Sequence, residues 1–383
     1  MAFEMVPGGG IMGLNALIAI LIVLCLSLTS SNIYGVEGLR SIPRQEDINK
    51  PPIKIIQMKP SSLLRGVSDE APSIAEDSNI EFPSEDCPLG TVPIRRTRRE
   101  DLVHSKSQSE PYLGDIHQLT LQYPGKHFAT LDTVLDKPYY GAKALINLQN
   151  PSVEMDKYST AQIWIENGIL TEINSIQVGW AVTLILFEVH PRLYGDNGTH
   201  LTAYWTADSY NKTGCFNTLC PGFVQTHSKI ALGAVYEKTS TYEGDQRRTN
   251  IKIAQDLTTG SWWLTLEDSM EIGYWPKEIF THLNKGANYV RYGGMVYSTS
   301  GIIPPMGSSR WPDNFLRRSC YFSNIKIVNE ENMLVDIDKS NMKKYTDNQH
   351  CYDLIYWGYE GKFLEQTFTF GGPSWTVGQC GIN

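Results

Sequence analysis

The sequence predicts a mostly β protein: an antiparallel β-sandwich domain at the C-terminal side, preceded by a loosely structured pro-segment. Three observations carry that expectation. After His127, short runs of β-branched and aromatic residues recur with Gly, Asn, Asp and Pro between them. From Glu37 to about Gly125, Pro, Ser and charge dominate and no hydrophobic period stands out. The one long apolar run lies near the start of the chain.

That run is Leu14 to Leu28, 15 residues followed by Thr29-Ser30-Ser31. It is short of the ~20 residues that a membrane span needs and suits the core of a signal peptide, so residues 1–31 read as a leader cleaved between Ser27 and Val36. The residues ahead of it carry Glu4 and no Lys or Arg, and initiation at Met12 would remove that acidic part. A GGGIMG stretch at 8–13 matches a dinucleotide-binding pattern, but no strand precedes it and a leader core follows. Residues 32–125 read as the pro-segment. Its basic run Arg95-Arg96-Thr97-Arg98-Arg99 reads as a solvated charge cluster.

Residues 126–383 form the expected β domain. Its strand candidates include Ala161-Gln-Ile-Trp-Ile165, Ser175-Ile-Gln-Val-Gly-Trp180, Leu201-Thr-Ala-Tyr-Trp205, Trp262-Trp-Leu-Thr-Leu266, Tyr289-Val-Arg-Tyr292, Asn324-Ile-Lys-Ile-Val328 and Thr367-Phe-Thr-Phe370. One helix is expected over Pro276–Leu283, with Pro in its first turn and Ile279 and Leu283 at i, i+4. At 41% hydrophobic and 19% charged, the 383 residues are ample for a sizeable core. The net charge of -8 argues against a nucleic-acid partner, which needs concentrated Lys and Arg. No stable membrane span is expected.

Cys25 falls in the leader, leaving Cys87, Cys215, Cys220, Cys320, Cys351 and Cys380. An even number permits a disulfide framework in an oxidising compartment, with several connectivities open. Cys215 and Cys220 are close enough in sequence to bridge locally. A zinc site there would want a second Cys/His pair, and His227 stands alone, so no metal and no cofactor is expected. Asn197-Gly-Thr199 and Asn211-Lys-Thr213 are N-glycosylation sequons, which fit an extracellular surface.

The chain has no G-x-S-x-G elbow, no H-E-x-x-H and no P-loop. Other motifs recur in order: Cys87-Pro-Leu-Gly-Thr-Val-Pro-Ile-Arg-Arg-Thr97, Tyr140-Gly-Ala-Lys-Ala144, Asn174-Ser-Ile-Gln-Val-Gly-Trp180, Tyr204-Trp-Thr-Ala-Asp208, Gly214-Cys-Phe-Asn-Thr-Leu-Cys220, Gly273-Tyr-Trp-Pro276 and Asn348-Gln-His-Cys-Tyr-Asp353. Over roughly residues 40 to 383 this set resembles the plant neprosin family, secreted glutamic peptidases with an activation-peptide region. The resemblance implies a β-sandwich in which two glutamates face each other across a groove and cleave peptide bonds, with proline specificity in the namesake, in the apoplast or cell wall.

Here the chain departs from the family pattern. The first glutamate position is Gln177 and the second is Met295. A Gln amide orients water but supplies neither acid nor base, and a thioether is a weak acceptor. Ile176, Val178 and Trp180 alternate away from Gln177, which puts Gly179 on its face; Gly293 and Tyr297 share the side of Met295. A glycine two residues from each position is expected to leave room for a peptide backbone. The stretch Thr183–Val189 is extra relative to the family, and its Glu188, 11 positions from Gln177, has the wrong parity to replace a carboxylate along one strand.

The favoured reading is a secreted protein without glutamic-peptidase activity that binds a polypeptide, Pro-rich in the family's manner. The alternative is an active prolyl endopeptidase working at acidic pH; a third is a structural wall protein. The family pattern and the local spacing together imply a Cys215–Cys220 bridge. Cys351 is expected to anchor the C-terminal tail through Cys380, and Cys320 to be a buried free thiol.

Overall fold

The computed structural model describes residues 57–62, 64, 92, 125–134, 137–155, 157–169, 171–184, 194, 196–298, 301–376 and 379. Strands in chain order are β1 (Lys126–Thr133), β2 (Gly141–Asn147), β3 (Lys157–Asn167), β4 (Asn174–Leu184), β5 (Thr199–Thr206), β6 (Cys215–Phe216), β7 (Val224–Gln225) and β8 (Val235–Tyr236). There follow β9 (Arg248–Gln255), β10 (Trp262–Leu266), β11 (Met270–Trp275), β12 (Tyr289–Tyr297), β13 (Ile302–Ile303) and β14 (Met306–Gly307). The last are β15 (Cys320–Val328), β16 (Leu334–Asp336), β17 (Met342–Thr346), β18 (Asp353–Tyr359), β19 (Gln366–Gly372) and β20 (Trp375–Thr376).

Two large sheets result. The first has the order β17-β1-β12-β3-β4-β5-β6, with β8 also on β5; the second has the order β14-β19-β15-β2-β9-β10-β11-β7, with β16 on β15 and β18 on β19. The expected mostly β, antiparallel architecture is what the chain adopts. Period-two alternation is the cause. On β4, Ile176, Val178, Trp180 and Val182 enter the core, as do Ala161, Ile163 and Ile165 of β3 and Val290, Tyr292 and Val296 of β12. They meet Ala144, Ile146, Ile251, Ile253, Trp262 and Phe322 of the second sheet in one apolar cluster. The intervening residues of β1, β12, β3, β4 and β5 therefore share the outer face of the first sheet.

The helix expected over Pro276–Leu283 is not formed. Only Lys277–Ile279 makes a 3-10 turn, and Phe280 leaves it in an extended conformation. The reason is a side chain from another element. Asn174, at the start of β4, accepts through Oδ1 from the backbone N–H of Thr281 (2.8 Å), His282 (2.7 Å) and Leu283 (3.3 Å), so these donors have a partner without helical turns. Ile279 and Leu283 still pack on the core.

Cys215 and Cys220 are joined, and Cys320 is a buried free thiol opening β15. Cys351 is disulfide-bonded to a partner outside the described residues, where Cys380 also lies. The leader, the Arg95–Arg99 run, Cys87 and Glu188 lie outside them too; Thr183 and Leu184 of the extra stretch end β4. One piece of the pro-segment is described against the β domain. Gln57 Nε2 (3.0 Å) and Ser61 N (2.6 Å) donate to Asp256 Oδ2, Ser62 Oγ donates to Oδ1 (2.8 Å), and Leu257 N donates back to Ser62 Oγ (3.0 Å). Among the described residues no helix is long and apolar enough to cross a membrane.

Candidate functional site

The outer face of the first sheet is laid out in rows by strand register. One row runs Asp132, Arg291, Trp164, Gln177, Tyr204; the next runs Thr130, Gly293, Gln162, Gly179, Thr202; a third runs Phe128, Met295, Thr160, Ala181, His200. Gln177 and Met295 thus sit diagonally across Gln162, on β4 and β12 with β3 between them. Two strand spacings and four residues along separate them, about 10 Å by about 13 Å at the backbone.

Gln177 is buried, and its Nε2 donates to Tyr210 Oη at 2.5 Å and to Ser175 Oγ at 3.4 Å. Tyr210 is delivered by a loop whose shape depends on Asp208. That carboxylate accepts from Asn211 N (3.2 Å), Lys212 N (2.9 Å), Thr213 N (3.1 Å) and Thr213 Oγ1 (2.7 Å), while Tyr210 N donates to Thr206 Oγ1 (3.0 Å). Burial works to raise the Asp208 pKa, and these bonds outweigh it, leaving it below its ordinary value. Ser209 and Tyr210 take positive φ of 55° and 63°, a conformation costly for a bulky residue that the Asp208 bonds hold in place.

Met295 is buried in a small apolar cluster with Phe128, Trp164 and Tyr210, against which Tyr158, Tyr204 and Tyr345 pack. Tyr297 lies beyond it, stacked on Tyr158 at 5.2 Å. The glycines have a different reason from the one the sequence suggests. A Cβ on Gly179 would stand 1.9 Å from Ala161 O, and one on Gly293, at φ +151°, 2.3 Å from Ala129 O. Close approach of the neighbouring strand demands glycine at both places.

Among the described residues, the carboxylates carried by β1, β3, β4, β5 and β12 are Asp132 and Glu166. Both are engaged. Arg291 Nε lies 3.2 Å from Asp132 Oδ1, and Tyr289 Oη donates to Asp132 Oδ2. Burial opposes the charge on Arg291, but Asp132, Tyr289 and Glu166 around it hold its pKa above the ordinary value. Glu166 accepts from Ser175 Oγ at 3.1 Å; burial pushes its carboxyl pKa up against the opposing pull of Arg291. Among the described residues, these two carboxylates flank Arg291, and neither stands at position 177 or 295. Tyr210, Asp208, Glu166 and the Asp132–Arg291 pair are participants the sequence did not mark out as a site; of them Asp208 and Arg291 lay within quoted stretches, neither singled out for chemistry.

A family model described as Neprosin matches residues 155–373. The chain belongs to the neprosin family. Among solved structures, a Scytalido-glutamic peptidase bound to a peptide-based transition-state analogue is 12% identical, with 65% of this chain and 98% of that chain covered and a TM-score of 0.33. SCP-B, described as a member of the eqolisin family of peptidases and bound to a tripeptide, is 12% identical over 64% of this chain and 96% of that one, with a TM-score of 0.32. A β-porphyranase from Bacteroides plebeius reaches a TM-score of 0.24 at 7% identity, covering 45% and 66%. The neprosin match takes in β3, β4, β5 and β12, so Gln177 and Met295 both lie inside it. Asn197 and Asn211 are exposed; Asn211 neighbours Tyr210.

Proposed function

We propose that this chain is a secreted neprosin-family protein that has lost glutamic-peptidase activity and binds an extended, proline-rich polypeptide on the outer face of its first sheet. One observation carries the reading: neither position that holds a glutamate in the family pattern holds a titratable group. The Gln177 amide is bonded to Tyr210, and Met295 is packed on Phe128 and Trp164. Losing proton transfer at one partner costs roughly 10²–10⁴-fold, and losing both removes the mechanism. Aromatic side chains around the rows suit proline rings, which stack on such surfaces. The leader, the disulfides and the exposed sequons at Asn197 and Asn211 support an extracellular, glycosylated form in the apoplast or wall.

The test is turnover of a fluorogenic proline-containing peptide by the purified protein between pH 3 and 6, beside calorimetric binding of the same peptide. Binding without turnover is expected. Hydrolysis at acidic pH would overturn the reading. An active enzyme has one observation on its side, the chain from Gln177 through Ser175 to the buried Glu166. In that case Glu166→Gln would abolish the turnover.

A further inference from the structure

The loop between β8 and β9 and the loop ahead of β15 are fastened to each other. Glu243 N donates to Arg317 O (2.7 Å), Arg317 Nε to Gly244 O (3.2 Å) and Arg318 Nε to Glu243 Oε1 (2.7 Å). On the joined loops three large aromatic side chains stand in water: Tyr242 at 51% exposure, Trp311 at 40% and Phe315 at 59%. The Arg310 guanidinium lies 4.1 Å over the Tyr242 ring, Arg318 lies 4.7 Å over Phe315, and Trp311 makes a T-shaped contact with Trp375, centroids 6.0 Å apart. One exposed aromatic needs no explanation, whereas three on a single pair of loops, interleaved with arginines, mark an interaction surface.

The stacking keeps the arginines available. A guanidinium lying on a ring holds its N–H donors in its own plane, at the rim of the stack, as a fork that fits a carboxylate. Arg318 is paired with Glu243, but among the described residues Arg310 and Arg317 have no carboxylate in ion-pair range. Asp313 turns its carboxylate onto Phe315 N (2.9 Å) and Ser319 Oγ (2.9 Å) within its own loop. Two unneutralised guanidinium groups beside exposed rings call for a partner with spaced negative charge and flat apolar faces. The pyranose ring of a uronic acid has both, with C–H groups on its face and a carboxylate on its rim. A phosphate chain fits worse, since Glu243 shares the surface and the net charge of the protein is -8. We propose that these loops bind a uronic-acid polysaccharide, with sugar rings stacked on Trp311 and Phe315 and carboxylates held by Arg310 and Arg317. The loops lead into β9 and β15 of the second sheet, whereas Gln177 and Met295 lie on the first, so the inference goes beyond the polypeptide-binding reading and stands without it.

Three decamers separate the contributions: α-1,4-linked galacturonate, a neutral galactose oligomer of the same length, and deca-glutamate, which has the charge without the rings. Calorimetry on the intact protein should show galacturonate binding roughly tenfold or more tighter than the neutral oligomer, the worth of a charge-assisted hydrogen bond. It should also bind about three- to tenfold tighter than deca-glutamate, the worth of a ring contact. Arg310→Gln with Arg317→Gln should erase the first preference, and Trp311→Ala with Phe315→Ala the second. No binding of galacturonate would overturn the inference, and so would equal binding of deca-glutamate, which would reassign the surface to an acidic protein partner. A preference for galacturonate over the neutral oligomer that survives the double arginine substitution would overturn it as well. The three-ligand comparison on the unmodified protein decides the matter if a variant fails to fold.

Discussion

Gln177→Glu combined with Met295→Glu should return hydrolysis to this chain, and neither change alone should. At position 177 a carboxylate replaces an amide of the same shape, so Tyr210 Oη turns to donate to it and Ser175 Oγ lies within reach. Hydrogen bonds to the charged form lower a carboxyl pKa. At position 295 the new carboxyl enters the cluster of Phe128, Trp164 and Tyr210, where full burial raises a pKa by as much as about 3–5 pH units. The two environments thus push the pair apart, one ionised and one protonated in mild acid, as acid–base catalysis requires. Burying an acid at Met295 costs about 2–4 kcal/mol, within the roughly 5–15 kcal/mol by which folded domains are stable. Since each proton-transfer partner is worth roughly 10²–10⁴ in rate, single variants stay near background. The assay is cleavage of a fluorogenic proline-containing peptide from pH 3 to 6, with near-ultraviolet circular dichroism to verify folding. A folded double variant that cleaves nothing would refute the argument that the missing acids are the whole lesion, and turnover by either single variant would refute the two-carboxyl requirement.

Asp256→Ala should release residues 57–62 from the β9–β10 turn, read as faster amide exchange at Ser61 and Leu257. Burial works to raise the Asp256 pKa, but bonds from Ser61, Gln57, Ser62 and Thr258 hold it below 3.8; its contribution is therefore full above that value and lost only as pH falls through the lower folded value, so the contact should persist at pH 5. Asn174→Ala strips the acceptor from three backbone N–H groups and should cost roughly 2–4 kcal/mol in denaturant unfolding; a loss under about 0.5 kcal/mol would show that water replaces the amide fully. Replacing Cys215 and Cys220 by Ser should cost about 2 kcal/mol on the loop-closure model, measured the same way under non-reducing conditions. Cys320, whose thiol burial pushes well above its ordinary pKa, should resist alkylation until the protein unfolds, and rapid labelling of the native form would contradict its burial.

The sequence by itself marked several central strands of both sheets and which way their residues face, though not β1, β11, β17 or β18. Alternation put Ile176, Val178 and Trp180 in the core and Gln177 outside it, because a strand's side chains change sides at every residue and a buried face tolerates no slip. It also carried the identities of Gln177 and Met295 and the local Cys215–Cys220 pairing, since each is a matter of identity or short spacing. What it left open was everything set by register between distant strands. The diagonal placement of Gln177 and Met295, with Gln162 midway between them, exists because β12, β3 and β4 pair in one particular register. Tyr210 reaches Gln177 only through a loop fastened by Asp208, in a conformation that bulky residues avoid on their own. The helix signal at Pro276–Leu283 failed for the same kind of reason: a stretch so short has little helical stability of its own, and Asn174, more than a hundred residues earlier, supplies its donors with a better partner. Local pattern is a property of neighbours in the chain, whereas partners for polar groups are chosen in three dimensions.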